Sequence, residues 1–183
     1  MKAFNVLLVV ALVACTPESE TERETRPVPQ YPSAVELAAL LDSGATTSVA
    51  IVTELLARAE ANAGLNAFIT VNAEGAMARA AELDELRQRG ELLGPLHGLP
   101  LVVKDNIHVA GLPNTAGTPG LAGYTPVDDN AVVAALRDAG AIILGKTNLH
   151  ELAFGITSDN GAYGSVGNPF DLSLIHISEP TRR

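Results

Sequence analysis

Apolar positions along the chain recur at helical spacing in four stretches, with three short apolar runs between them. Ser33 and Glu36 stand at the spacing of a capping box. They open a short helix with Val35, Leu37, Leu40 and Leu41, which stops near Gly44. A second helix is expected after Thr47 or Ser48, carrying Val49, Val52, Leu55, Leu56 and Ala59 on one side and ending by Gly64. Residues 66–71 alternate like a strand, and 73–89 read as an amphipathic helix stopped by Gly90. Residues 99–103 form a short apolar strand, and a Gly/Pro/Thr-rich loop covers 111–126. A last helix over 129–139 is capped by Gly140 and feeds a buried strand at 141–144. Helices alternating with short apolar strands predict an α/β fold, a parallel or mixed sheet flanked by helices.

The N-terminal residues follow another pattern. Lys2 precedes an almost wholly apolar run, Ala3 to Val13, broken only by Asn5. That run is shorter than the roughly 20 residues a membrane span needs and suits a secretory signal. It ends at Ala14-Cys15, and Cys15 is the single cysteine. This resembles a bacterial lipoprotein signal, with residues 1–14 removed and Cys15 lipidated; a generic signal with a chance cysteine is the plainer alternative. Residues 15–32 then read as a flexible acidic and proline-rich tether, and 33–171 as the folded part. Thr16 after the cysteine points to the outer membrane, by analogy with other lipoproteins. The expected location is thus the cell envelope, lipid-anchored on its periplasmic face.

Composition narrows the function classes. The 183 residues hold 21 acidic against 12 basic side chains, for a net charge of −9. Without a Lys/Arg run and with 4% aromatics, the chain is a poor nucleic-acid binder. One cysteine leaves no intrachain disulfide and no cysteine-based zinc site.

Two motifs fail on context. Gly140 to Thr147 matches the phosphate-loop spacing, but the order is helix, cap, strand, whereas that loop must follow a strand and open a helix. Lys146 is therefore read as structural. His150-Glu151 begins like a zinc-protease helix, but position 154 is Phe. His97, His108 and His150 show no ligand spacing, so no metal and no cofactor is expected.

The informative stretch is Gly94-Pro-Leu-His-Gly-Leu-Pro-Leu-Val-Val-Lys-Asp-Asn-Ile107. It reads as a turn, a buried strand and a lysine at the strand's end. Burial beside an apolar wall would favour the neutral amine that a base needs. The same residues also allow an ordinary lysine, paired with Asp105 or another carboxylate.

This stretch resembles the amidase signature family. Further blocks resemble it in order: Thr115 to Pro119, Gly140 to Asn148 with His150-Glu151, Thr157 to Asn160, and Gly167 to Asp171. The resemblance implies a twisted mixed sheet wrapped in helices and hydrolysis or transfer of amides by a Ser–cis-Ser–Lys triad. Lys104 falls on the family's lysine and takes the general base and acid role. By the same analogy Phe154 and Gly155 line the acyl pocket. The implied partner is a small-molecule amide, and the wording over 146–158 is closest to members acting on arylacetamides such as indoleacetamide and mandelamide.

The family's two serines belong to a Gly/Ser-rich stretch that should begin after Ser173, and no glycine occurs after Gly167. Leu172 to Arg182 instead resembles a translated sequencing adapter, so 172–183 is read as a non-native tail and the fold as truncated before its Gly/Ser-rich core. Ser178 lacks neighbouring glycines and is given no role. The full-length protein is expected to be a linear-amide hydrolase, and the chain as written to be inactive. The alternatives are a non-catalytic, membrane-anchored binding or scaffold lipoprotein, and one component of a tRNA-dependent amidotransferase.

Overall fold

The computed structural model describes residues 31–170. The expectations for the signal, Cys15, nearly all of the tether and the 172–183 tail lie outside the described residues. The elements are α1 (Ala34–Asp42), α2 (Ser48–Ala61), β1 (Phe68–Val71), α3 (Ala73–Gln88), β2 (Pro100–Lys104), α4 (Ala131–Asp138) and β3 (Ile142–Thr147). Short 3-10 turns occupy Ala63–Leu65, Pro119–Leu121 and Glu151–Ala153.

Local side-chain chemistry sets the helix starts. The capping box forms as its spacing implies: Glu36 N–H donates to Ser33 Oγ at 3.2 Å, and Ser33 N–H to Glu36 Oε2 at 2.7 Å. Thr47 caps α2 by accepting from Ala50 N–H. Asp84, on α3, accepts the Ser48 and Val49 N–H groups at 2.8 and 3.0 Å, placing a carboxylate on the free amides of α2. The last helix starts at Ala131, two residues later than expected, because Asn130 supplies the cap. Asp129 is engaged elsewhere, accepting from Ala110 N–H at 2.7 Å and pairing with Arg137 at 3.1 Å.

The sheet is mixed, with strand order β1-β3-β2. β3 is central, antiparallel to β1 and parallel to β2. Its side chains alternate between two cores, as strand geometry requires. Ile142 and Leu144 pack with Val52, Ala76, Ala80 and Leu83 beneath α2 and α3. Ile143 packs with Val103, Val109 and Val133 beneath α4.

β3 runs past the apolar residues to Thr147, and its polar end pairs on both sides. Lys146 lies opposite Thr70 and Val103, and Thr147 opposite Phe68 and Lys104. Gly145 is needed there, since a Cβ would stand 2.4 Å from Thr70 O. β1 starts at Phe68, two residues later than expected. Asn66 sits in the left-handed region at φ 54° and turns its amide to Tyr163 O instead.

His97 ties the turn before β2 to α3. Its Nδ1 accepts Leu93 N–H at 3.1 Å and its Nε2 lies 2.9 Å from Leu83 O. A carbonyl only accepts, so Nε2 carries the hydrogen and the ring is the neutral Nε2–H tautomer. Arg87 adds a donor to His97 O.

Candidate active site

β2 and β3 are parallel, so their carboxyl ends open on the same edge of the sheet, where α/β sheets carry their sites. Lys104 is the last residue of β2. Leu101 and Val103 face the α4 core, which sends Val102 and Lys104 to the opposite side. Both are exposed there. The buried lysine expected from the sequence is therefore not found among the described residues: β2 is an edge strand whose outer face rises beyond the cover of α2 and α3. Nor is the alternative pairing with Asp105 found. Among the described residues Lys104 makes no ion pair and its side chain no hydrogen bond.

Asp105 turns inward instead. It is fully buried and meets a fully buried Lys146, with Nζ 3.0 Å from Oδ1. The approach is oblique, so charge and not an aligned hydrogen bond holds Oδ1. Oδ2 accepts from Thr115 N–H at 2.9 Å and from the Thr115 hydroxyl in a short contact. Lys146 also donates to Pro113 O at 3.2 Å and Asn114 Oδ1 at 3.1 Å. Burial pushes the Lys146 ammonium below its ordinary value, while the Asp105 carboxylate pulls it back up. The backbone of Asp105 is held as well, with its N–H on Thr147 O and its carbonyl accepting from Ala116 N–H.

Around this pair the loops interlock. Asn160 is buried and donates to Gly117 O and Leu149 O, while its Oδ1 accepts from Ala162 and Tyr163 N–H. Asn148 joins Asn66 O and Gly164 O. Ala116, Leu152, Ala153 and Ser158 all adopt positive φ, between 50° and 56°. Non-glycine residues hold such conformations only where their surroundings over-determine them, and such residues cluster at functional sites. Leu152 N–H donates to Ala116 O at 2.7 Å, which links two of them.

The structure puts Phe154 on the surface, 93% exposed. Gly155 lies against the His150 ring, where a Cβ would come within 2.4 Å. Neither makes a hydrogen bond to Lys104. Sequence reasoning missed Asp105, Asn114, Thr115 and Asn160 as fixed parts of the site. Thr115 and Asn160 were visible only as members of matching blocks. Among the described residues no group of three or more His, Cys, Asp or Glu could hold a metal, and no helix is long and apolar enough to cross a membrane.

Residues 50–176 match the model of the Amidase family. The amidase-like component of the glutamyl-tRNA(Gln) amidotransferase from Streptomyces coelicolor is 46% identical over 144 residues, which are 78% of this chain and 29% of that protein. Native peptide amidase from Stenotrophomonas maltophilia superposes with a TM-score of 0.72 at 36% identity, covering 86% of this chain and 31% of that one. A bacterial aryl acylamidase of the amidase signature enzymes gives a TM-score of 0.75 at 27% identity, over 79% of this chain and 31% of its own. The chain thus spans about 30% of the proteins it resembles. The family match covers most of the chain and the solved structures share its fold, so the chain belongs to the amidase family.

Proposed function

We propose that these residues are the lysine-bearing part of a hydrolase of linear amides, with Lys104 as its general base and acid. The observation that carries this reading is that the adjacent carboxylate is already taken. Asp105 is paired with Lys146, and Lys104 stands unpaired among the described residues, at the carboxyl end of β2. An amine without a carboxylate neighbour can be neutral once covered, and a neutral amine can accept a proton.

In the proposed reaction the Lys104 amine takes a proton from a bridging serine, which takes one from the nucleophilic serine. The serine oxygen bonds to the amide carbonyl carbon, and backbone N–H groups hold the oxyanion. The C–N bond breaks, and the leaving amine receives the proton back through the same relay. Water then releases the acyl group. Both serines would come from polypeptide following Phe170, which would also cover Lys104. The 183 residues alone are then expected to turn over no amide. Sequencing the gene past the Phe170 codon tests this: a Gly/Ser-rich continuation supports it, and a genomic stop after Arg183 contradicts it.

The same reading places the protein in the cell envelope, held by lipid on Cys15. Radiolabelled palmitate should enter the wild type and not the Cys15→Ser variant. Phe154 and Gly155 remain proposed contributors to the acyl pocket, and small arylacetamides the first substrates to assay.

A second reading rests on the 46% identity to the amidotransferase component. It requires partner chains and a cytoplasmic location. Co-purification with such partners, together with glutamine-dependent amidation of charged tRNA, would favour it over the hydrolase.

A further inference from the structure

Lys104 and Asp105 are neighbours on β2, yet they do opposite things. One is exposed and unpaired, and the other is sealed against Lys146. A lone carboxylate this close would stabilise the protonated form of Lys104, because opposite charges favour one another across short distances. That would work against a base. Lys146 removes the difficulty in two ways. Its ammonium cancels the Asp105 charge, and with Thr115 it keeps the carboxylate turned inward. The backbone of Asp105 is fixed by Thr147 and Ala116, so the direction in which β2 presents Lys104 is fixed with it.

We propose that Lys146 is a positioning residue for Lys104, acting through Asp105 by pinning and neutralising a carboxylate that would otherwise hold the Lys104 proton. The functional meaning rests on Lys104 being the base. The electrostatic effect does not, and can be measured on the chain as it stands.

Lys2, Lys104 and Lys146 are the lysines of the chain, so the amine chemistry of each can be read separately. The 183-residue protein is acetylated with N-hydroxysuccinimidyl acetate at pH 8.5, beside a lysine-containing reference peptide, and each site is followed by peptide mass spectrometry. In the wild type Lys104 reacts and Lys146 is protected. In Lys146→Gln the Lys104 rate should fall about threefold against the reference, because the carboxylate charge is no longer balanced. Lys146→Arg keeps the charge and should keep the wild-type rate. Asp105→Asn combined with Lys146→Gln should restore it. An unchanged Lys104 rate in a folded Lys146→Gln protein overturns the proposal, and so does a failure of the double variant to restore it.

Should Lys146→Gln not fold, Asp105→Asn is assayed near pH 6.5, so that the lone ammonium keeps its charge. Lys104 should then react about threefold faster, and an unchanged rate overturns the proposal. Failure of the base assignment would appear elsewhere, as turnover surviving Lys104→Ala in a complete enzyme, and would leave the labelling result standing.

Discussion

Lys146 Nζ lies 3.0 Å from Asp105 Oδ1 with both side chains fully buried, while Lys104, one residue before Asp105, is exposed. Two lysines that look alike in the sequence thus occupy opposite environments, and the carboxylate between them belongs to only one.

Breaking that pair should be costly and replacing it less so. Lys146→Ala leaves a buried carboxylate without its counter-charge, and an expected loss is about 3–5 kcal/mol. Asp105→Asn with Lys146→Met removes both charges and keeps an acceptor for Thr115. Its loss should be smaller than that of either single change. Urea denaturation of the three variants checks this, and a double variant as unstable as the worse single one contradicts it.

The pair also sets a pH dependence. Burial holds the Lys146 pKa below 10.5, so the unfolded chain binds more protons between the folded value and 10.5. Stability from this group therefore rises with pH across that window. The rise should be present in the wild type and absent from the Asp105→Asn, Lys146→Met variant when urea midpoints are compared on the alkaline side.

The Glu36 cap has the opposite sign. Its hydrogen bonds to Ser33 lower the carboxyl pKa from 4.5. Its stabilisation is present above 4.5 and is lost as pH falls through the folded value. Glu36→Gln should lose little of its helix on acidification, whereas the wild type should fray at α1. Amide exchange of residues 34–42 at pH 6 and pH 3 distinguishes the two.

Gly140 cannot be substituted cheaply. It ends α4 at φ 92°, and a Cβ there would stand 2.6 Å from His97 Cα. Gly140→Ala should cost about 2–3 kcal/mol from strain and displacement of the His97 turn. Thermal melts check this, and a change within 0.5 kcal/mol, the ordinary surface range, contradicts the close approach.

Much of this fold was legible because its signals are local. The Ser33–Glu36 spacing, the Gly90 and Gly140 stops and the apolar run of β3 each depend on residues close in sequence. The mixed sheet with flanking helices followed from their alternation. What was not legible depends on partners far along the chain. β3 extends over Gly145 to Thr147 because β1 and β2 pair with it there, although its end is polar. Lys146 is buried because Asp105, Asn114 and Pro113 meet it from another segment. The exposure of Lys104 was missed for a related reason: an apolar strand suggests burial, but one face of an edge strand needs a cover. The site was legible as a block of residues around Lys104. Its geometry was not, since Thr115 and Asn160 act through hydrogen bonds that no spacing encodes.

The central claim is that Lys104 is the base of an amide hydrolase, and it is tested most directly in the complete gene product. Turnover of a small arylacetamide is measured for wild type and Lys104→Ala, with circular dichroism as the check on folding. Lys104→Ala should fold as the wild type does and lose at least about a hundredfold in kcat, the lower end of what general acid–base catalysis contributes. Wild-type turnover in a folded Lys104→Ala protein would contradict the account.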